Sequence, residues 1–287
     1  MKLGISAFAW TECFTSSHLH LIPEMCARGF DGFEIPMFNP ADLPVRAIRK
    51  EFEASEMEGT VCAILPKNIN PISPDLSVRR KSVAHLIACI ETARELGAHL
   101  LGGPLFAPIG YLPGHRRNQN EWNWAVEAFQ AVESTLETND LILSIEPVNR
   151  SETFFLTKAV DAQALCSEIG NPRVGVTIDT FHANIEEKSI PDAVTLLGSS
   201  LKHMHLSEND RGLLGTGHIN FNGIMDALLR SGYDGYLMIE GFGYSSDQPG
   251  SPGYLLADTT VSPEEIAVSG ASYVRNLLSR QSVRRAS

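Results

Sequence analysis

The sequence lacks an excess of basic residues. In 287 residues, 23 Lys and Arg stand against 34 Asp and Glu, which gives a formal net charge of −11. Binding to nucleic acid requires a basic surface that neutralises phosphates, so we exclude nucleic acid as a partner. The sequence also lacks an apolar run of the roughly 20 residues that a membrane-spanning helix requires, so we expect no insertion into a membrane.

Paired cysteine motifs are also missing. The chain has 5 cysteines, an odd number, and no two of them form a C-x-x-C motif. Scattered cysteines of this kind are typical of reduced thiols in a cytoplasmic protein, so we expect a cytoplasmic location. Residues 1–10 are too briefly apolar for a signal sequence and are interpreted as a first strand.

No linker, low-complexity segment or shift in composition divides the chain. Short apolar runs alternate with longer amphipathic stretches, which is typical of βα units around a parallel sheet. Eight such units predict an α/β fold: a single-domain (β/α)8 TIM barrel over residues 1–280, with a C-terminal tail at 281–287. A doubly wound open sheet is the alternative. The predicted strands cover residues 3–7, 32–35, 59–64, 99–102, 141–145, 174–178, 203–206 and 236–239.

Polar side chains end four consecutive apolar runs in the second half of the chain. They follow one another at intervals of 33, 26 and 35 residues and are Glu146, Asp179, His205 and Glu240. The carboxyl ends of barrel strands form the active site, so these side chains are predicted to converge there. Three carboxylates would repel one another without a cation. This oxygen-rich set suits Mn²⁺, Co²⁺ or Mg²⁺ and leaves positions for substrate oxygens.

Further candidates lie close to these positions in the chain. His182 and Arg211 follow the sixth and seventh predicted strands, and their side chains are donors suited to hydroxyl and carbonyl oxygens. Glu152 offers a second carboxylate after the fifth strand. The aromatic residues Trp10 and Phe242 lie near strand ends, where they either line the pocket or belong to the core.

A glycine-rich run, GLLGTG at residues 212–217, follows Arg211. It resembles a phosphate-binding loop only loosely, because no Lys follows the last glycine. A flexible loop is therefore the favoured interpretation.

Four stretches of the sequence resemble one known family. They are IEPVNR at 145–150, DTFHANIEE at 179–187, HLSENDRG at 205–212 and MIEGF at 238–242. Together they resemble the xylose-isomerase-like sugar isomerase and epimerase barrels, and within them the ketose 3-epimerases of the D-tagatose, D-psicose (allulose) and L-ribulose type. The resemblance spans nearly the whole chain in order, and it implies a metal-dependent isomerase of carbohydrate metabolism.

The resemblance also implies a role for each predicted metal ligand. One divalent ion, Mn²⁺ first and Co²⁺ or Mg²⁺ as alternatives, is held by Glu146, Asp179, His205 and Glu240. The two glutamates are also the acid/base pair. One takes the proton from carbon 3 of a free keto-sugar, a metal-bound enediolate forms, and the other returns a proton to the opposite face.

The remaining candidates are implied to bind the substrate. His182 and Arg211 hold ketose oxygens near the metal, Glu152 binds the hydroxyl end of the sugar, and Phe242 and Trp10 are expected at the pocket wall. Barrels of this kind usually associate, so we expect a homo-oligomer, either a dimer or a tetramer.

Three features depart from the pattern of the ketose 3-epimerases. Ser151 stands where an aromatic residue is common, Gly241 stands where Pro is frequent, and residues 243–260 are long and rich in Gly, Pro and Ser. They leave the metal set intact but leave the substrate open. The alternatives are an aldose–ketose or inosose isomerase, or a dehydratase or C-glycoside lyase that acts on a keto-sugar with the same metal site. A sugar-binding protein without catalysis is disfavoured by the full metal set.

Overall fold

The computed structural model describes residues 1–242 and 261–286, with side chains to residue 280. Eight parallel strands form a closed barrel in chain order, and the last strand pairs with the first. The predicted single-domain (β/α)8 TIM barrel is confirmed. The strands are β1 (Lys2–Ser6), β2 (Gly32–Met37), β3 (Glu58–Ala63), β4 (Ala98–Gly103), β5 (Ile142–Ile145), β6 (Val174–Asp179), β7 (Leu201–Leu206) and β8 (Tyr236–Ile239).

All eight predicted strands are present, and their ends differ from the predicted ones by no more than two residues. Every residue of β2 and β6 is buried, and strands buried on both faces appear in a sequence as continuous apolar runs. The first strand ends at Ser6 rather than at residue 7. The Ser6 side chain accepts a hydrogen bond from the Phe8 amide and begins a 3-10 turn at Ala7–Ala9.

The long helices cover the outside of the barrel with their apolar faces. In α9 the buried side chains include Phe221, Ile224, Met225 and Leu228, which share one face because an α-helix has 3.6 residues per turn. The described helices are α1 (Leu21–Ala27), α2 (Val45–Ser55), α3 (Leu76–Glu95), α4 (Gln119–Gln130), α5 (Glu133–Asn139), α6 (Ala159–Ile169), α7 (Thr180–Glu186), α8 (Ile190–Leu197), α9 (Phe221–Arg230) and α10 (Pro263–Ala286).

The last helix, α10, begins with a capping box. The Ser262 Oγ accepts a hydrogen bond from the Glu265 amide at 3.2 Å, and Glu265 Oε2 accepts one from the Ser262 amide at 2.9 Å. The helix continues to residue 286, so it includes most of the segment 281–287 that was predicted as a tail. The Gly, Pro and Ser-rich segment 243–260 lies outside the described residues.

None of the described helices combines the length and the apolar character needed to cross a lipid bilayer. The carboxyl ends of all eight strands face one end of the barrel, as in every parallel barrel of this kind. That end is where the predicted metal ligands lie.

Candidate active site

The four predicted metal ligands meet at the carboxyl end of the barrel. Asp179 is the last residue of β6 and pairs in register with His205 of β7, while Glu146 and Glu240 directly follow β5 and β8. His205 Nδ1 lies 3.4 Å from Glu146 Oε1 and 3.6 Å from Glu240 Oε1. All four side chains are buried. The structure therefore brings them together in one buried cluster.

Arg211 closes this cluster from the loop after β7. Its Nη1 lies 2.8 Å from Asp179 Oδ2 and 2.7 Å from Glu240 Oε2. Its guanidinium also lies 4.1 Å from the centre of the Phe181 ring, which is a cation–π contact. The backbone φ of Arg211 is 60°, a left-handed conformation that costs a non-glycine residue about 1 kcal/mol. Such strain at a polar cluster is typical of a functional site.

The glycine-rich loop after Arg211 is folded around a buried carboxylate. Glu208 Oε2 accepts a hydrogen bond from the Gly215 amide at 2.9 Å, and its Oε1 accepts one from the Ile219 amide at 3.2 Å. A Cβ atom at Gly217 would collide with the Glu208 side chain, so only glycine fits this close approach. Because the Gly215 amide already donates to Glu208, it is not available to a phosphate.

The cluster favours positive charge at its centre. Burial raises the pKa of Glu146, and it raises the pKa of Glu240 to about 7. Burial also acts on Asp179, but the adjacent guanidinium lowers the pKa of this carboxyl below its usual value. Burial alone would lower the pKa of His205, yet the carboxylates of Glu34, Glu240 and Glu146 raise it well above its usual value. A bound cation would relieve the same crowding of carboxylates.

The hydrogen bonding of His205 leaves one ring nitrogen for a metal. Its Nε2 hydrogen-bonds to Glu34 Oε2 at 3.4 Å and lies 3.1 Å from Glu34 Oε1. An ionised carboxylate only accepts, so Nε2 carries a proton. Its Nδ1 points toward Glu146 Oε1 and Glu240 Oε1, at 3.4 and 3.6 Å. Glu146 and Glu240 therefore face this imidazole nitrogen, and Arg211 joins Asp179 to Glu240. Carboxylates together with an imidazole fit a hard divalent cation.

Glu34 is a fully buried carboxylate that the sequence patterns did not assign to the site. It lies inside β2, and its Oε2 accepts hydrogen bonds from His203 Nε2 at 3.0 Å and from Thr60 Oγ1 at 3.2 Å. Burial works against its ionisation, but His205 and His203 hold the pKa of Glu34 below its usual value. Glu34 therefore accepts a hydrogen bond from each imidazole and fixes the orientation of both rings.

The described residues contain two groups of three side chains whose potential ligand atoms lie within 4.8 Å of one another inside the group. One group is Glu146, Asp179 and His182, and the other is Glu34, Cys62 and His205. The second group is the weaker candidate. Burial raises the pKa of Cys62 well above its usual value, and a protonated thiol is a poor ligand. The first group contains two of the predicted ligands and also His182, which was predicted to bind substrate.

The predicted substrate-binding residues Glu152 and His182 are joined by a third side chain. Asn149 Nδ2 lies 2.8 Å from Glu152 Oε1 and 2.9 Å from His182 Nδ1. Burial raises the pKa of Glu152 and lowers the pKa of His182 to about 3. His182 is therefore a neutral imidazole, and its Nε2 lies 3.5 Å from Arg211 Nη2 at the edge of the metal cluster.

A cavity of about 750 Å³ opens at this end of the barrel. Phe242 lies on its wall, and the ring of Phe242 packs 5.6 Å from that of Phe8, measured between ring centres. Trp10 packs instead toward Phe33, with ring centres 6.3 Å apart. Among the described residues, those that line the cavity do not include Trp10. The other site residues that line the cavity are Glu146, Asn149, Glu152, His182, Arg211 and Glu240.

The chain is similar in sequence to known sugar epimerases. A probable ketose 3-epimerase from Synechocystis sp. is 28% identical over 275 residues, which cover 96% of this chain and 96% of the relative. The L-ribulose 3-epimerase of Mesorhizobium japonicum is 29% identical over 242 residues, which cover 84% of this chain and 81% of the relative. Both relatives are named as sugar epimerases, which are isomerase-class enzymes, in agreement with the predicted class.

A solved structure of an L-ribulose 3-epimerase superposes with a TM-score of 0.91 at 27% identity and covers 100% of this chain and 98% of its own. The xylose isomerase-like TIM barrel family matches residues 25–277. The resemblance inferred from the four sequence stretches is thereby confirmed. The chain belongs to the xylose isomerase-like TIM barrel family.

Proposed function

We propose that the protein is a metal-dependent ketose 3-epimerase that inverts carbon 3 of a free keto-sugar. The observation that carries the proposal is the pair of buried carboxylates, Glu146 and Glu240, which approach His205 Nδ1 to 3.4 and 3.6 Å. They follow β5 and β8, which are separated by two other strands of the barrel. Inversion requires two acid/base groups on opposite faces of one carbon. The names of the relatives support a ketose as substrate.

The residues that would hold the metal are the buried cluster at the strand ends: Glu146, Asp179, His205 and Glu240. When bound, a divalent ion supplies Lewis-acid stabilisation for the negative charge that develops on the substrate oxygens. Arg211 adds a fixed positive charge next to Asp179 and Glu240. A preorganised charge of this kind stabilises a transition state without reorganising.

Proton transfer is the task of the two glutamates. Because burial raises the pKa of Glu240 to about 7, this carboxyl can hold or release a proton near neutral pH. Ser207 Oγ donates a hydrogen bond to the Glu240 carbonyl at 3.0 Å and fixes the backbone there. One glutamate takes the proton from carbon 3 to give an enediolate, and the other returns a proton to the opposite face. His182, Arg211 and Glu152 bind the sugar hydroxyls.

Exchange in deuterated water tests the proposed reaction. The Mn²⁺-loaded protein is expected to place deuterium at carbon 3 of a ketose while it forms the 3-epimer, because the abstracted proton exchanges with solvent. NMR with D-fructose, D-tagatose, D-psicose and L-ribulose would detect the exchange and rank the substrates. Deuterium only at carbon 1 or 2 would indicate an isomerase instead, and loss of a substituent would indicate a dehydratase or lyase. Absence of exchange at carbon 3 from all four sugars contradicts the proposal.

A divalent metal is expected to stabilise the folded protein, because only the folded chain assembles the buried cluster. At a concentration 100 times Kd, binding adds about 2.7 kcal/mol to the free energy of unfolding. For a chain of this size, Tm should rise by several degrees, which differential scanning fluorimetry can measure. The variant Asp179→Asn is expected to lose most of the increase. An equal increase in Tm for both proteins would place the metal elsewhere.

The preference for Mn²⁺ over Co²⁺ and Mg²⁺ stays a prediction, as do the cytoplasmic location and the homo-oligomeric dimer or tetramer. The Tm increases with Mn²⁺, Co²⁺ and Mg²⁺, compared with one another, test the preferred metal. Sedimentation of the purified protein measures the number of subunits. Contact of the substrate with Phe242 is a proposal supported by the cavity wall, whereas Trp10 packs toward the core.

A further inference from the structure

Asn149 is a buried amide whose every polar group has a partner. Its backbone N–H and its side-chain Nδ2 lie 3.3 Å and 2.9 Å from the same atom, His182 Nδ1. The Nδ2 also lies 2.8 Å from Glu152 Oε1. The Oδ1 accepts a hydrogen bond from the Ser151 amide at 2.9 Å, which fixes the oxygen and nitrogen ends of the Asn149 amide. None of the roles implied by the family resemblance includes this residue.

These contacts determine which nitrogen of His182 carries the proton. Two donors of Asn149 point at Nδ1, so Nδ1 has to be the acceptor, and the ring is a neutral imidazole with its proton on Nε2. The groups nearest to Nε2 are Asp179 Oδ2 at 3.6 Å and Arg211 Nη2 at 3.5 Å. Of these two groups, only the guanidinium is a donor and would favour a lone pair on Nε2. It lies farther from Nε2 than either Asn149 donor lies from Nδ1.

We propose that Asn149 is the positioning residue that makes His182 a hydrogen-bond donor to a substrate oxygen and keeps it from binding the metal. His182 needs such a restraint, because its ring lies within 4.8 Å of ligand atoms of Glu146 and Asp179. A metal ligand has to offer a lone pair, and the Nε2 of this tautomer offers a proton instead.

When His205 is neutral, as a metal ligand has to be, both active-site histidines carry their proton on Nε2, and in each ring a buried partner fixes this proton. They differ in the nitrogen that faces the site. Glu34 Oε2 accepts a hydrogen bond from Nε2 of His205, which leaves Nδ1 of that ring for the metal. Asn149 donates to Nδ1 of His182, which leaves an Nε2–H group for the sugar. The assignment of His182 to the sugar rests on the proposed function, whereas the tautomer itself does not.

An exchange of side chains between positions 149 and 152 tests the role of Asn149. The double variant Asn149→Asp, Glu152→Gln keeps the total charge and a hydrogen bond between the two positions. The carboxylate introduced at position 149 only accepts, and it replaces the closer of the two donors, 2.9 Å from Nδ1 against 3.3 Å for the backbone N–H that remains. The His182 proton is therefore expected to move to Nδ1. The single variant Glu152→Gln is the matched control, because it keeps Asn149 and should keep the proton on Nε2.

The ring ¹⁵N resonances of the protein supplied with diamagnetic Mg²⁺ report the tautomer directly. The His182 resonances are assigned by their loss in His182→Gln. The expected result is a protonated Nε2 in the wild type and in Glu152→Gln, and a protonated Nδ1 in the double variant. A proton on Nδ1 in the wild type, or an unchanged tautomer in the double variant, would overturn the proposal. This measurement uses no sugar, so its result is separate from that of the carbon-3 exchange experiment.

Kinetics then separate positioning of the sugar from general damage. Loss of one hydrogen bond to the substrate in both the ground state and the transition state raises KM and leaves kcat nearly constant. At saturating metal, the double variant is expected to have a KM about tenfold above that of Glu152→Gln, with kcat changed by less than about threefold. A KM equal to that of Glu152→Gln would contradict the role of Asn149 in substrate binding.

Discussion

Replacement of Glu240 by Gln is expected to lower the rate of carbon-3 epimerisation by about 10³-fold or more, within the range of general acid/base catalysis. The amide can neither accept the carbon-3 proton nor return one. Glu146 remains, and it lies 3.4 Å from the same imidazole nitrogen. We therefore expect Glu240→Gln to exchange the carbon-3 proton of one epimer with solvent without forming the other epimer.

The variant Glu146→Gln is expected to show the complementary behaviour, with exchange confined to the opposite epimer. The measurement is deuterium incorporation by NMR, started separately from each of the two 3-epimers. Both glutamates are proposed metal ligands, so each assay requires saturating Mn²⁺ and a parallel determination of bound metal. Glu168→Gln is a control of the same chemistry, since the new amide oxygen can still accept the hydrogen bond from Trp122 Nε1. Exchange of the same epimer in both variants would exclude a two-carboxylate mechanism.

The eight strands could be predicted from the sequence because buried strands consist mostly of apolar residues. β2 and β6 are buried along their whole length, so their residues are mostly apolar and show no regular alternation with polar ones. The exact ends were less predictable, because side-chain caps determine them. Ser6 shows this, since its side chain ends β1 one residue earlier than the apolar run does.

The convergence of the predicted metal ligands could also be anticipated, because a parallel barrel places every strand end on one face. The partners of these residues could not. Glu34 is one carboxylate within an apolar strand, and its partner His203 comes 169 residues later in the chain. Only the closed barrel brings β2 and β7 to face each other across the interior. The one sequence signal for the role of Glu34 was a charged residue inside an otherwise apolar strand.

Asn149 illustrates a second limit of the sequence. It lies within a stretch that resembles the ketose 3-epimerases, yet its role depends on the relative placement of the loop after β5 and of α7. The aromatic residues show a third limit. Trp10 and Phe242 had the same prediction, but only the three-dimensional packing separates a residue that faces the core from one that lines the cavity.

Replacement of Glu34 by Gln is expected to weaken metal binding by about 10- to 100-fold, although Glu34 is not a proposed ligand. In the wild type, Glu34 Oε2 accepts hydrogen bonds from the Nε2 atoms of both His203 and His205, and Glu34 Oε1 also lies 3.1 Å from His205 Nε2. In glutamine, one of the two oxygens becomes an amide nitrogen that only donates, so the N–H group of at least one imidazole would face another donor. If that ring is His205, its proton can shift to Nδ1, the nitrogen that faces Glu146 and Glu240.

Isothermal titration with Mn²⁺ measures this loss directly, and circular dichroism establishes that the variant is folded. Glu121→Gln is the matched control, because Glu121 is also a buried carboxylate, but it caps α4 through the Asn118 amide and lies away from the cluster. His203→Gln separates the two imidazoles, since it leaves the contact between Glu34 and His205 in place and should weaken binding less. If folded Glu34→Gln bound Mn²⁺ as tightly as the wild type, His205 would have to be oriented by its backbone alone. The buried carboxylate of β2 would then serve the interior of the barrel rather than the metal.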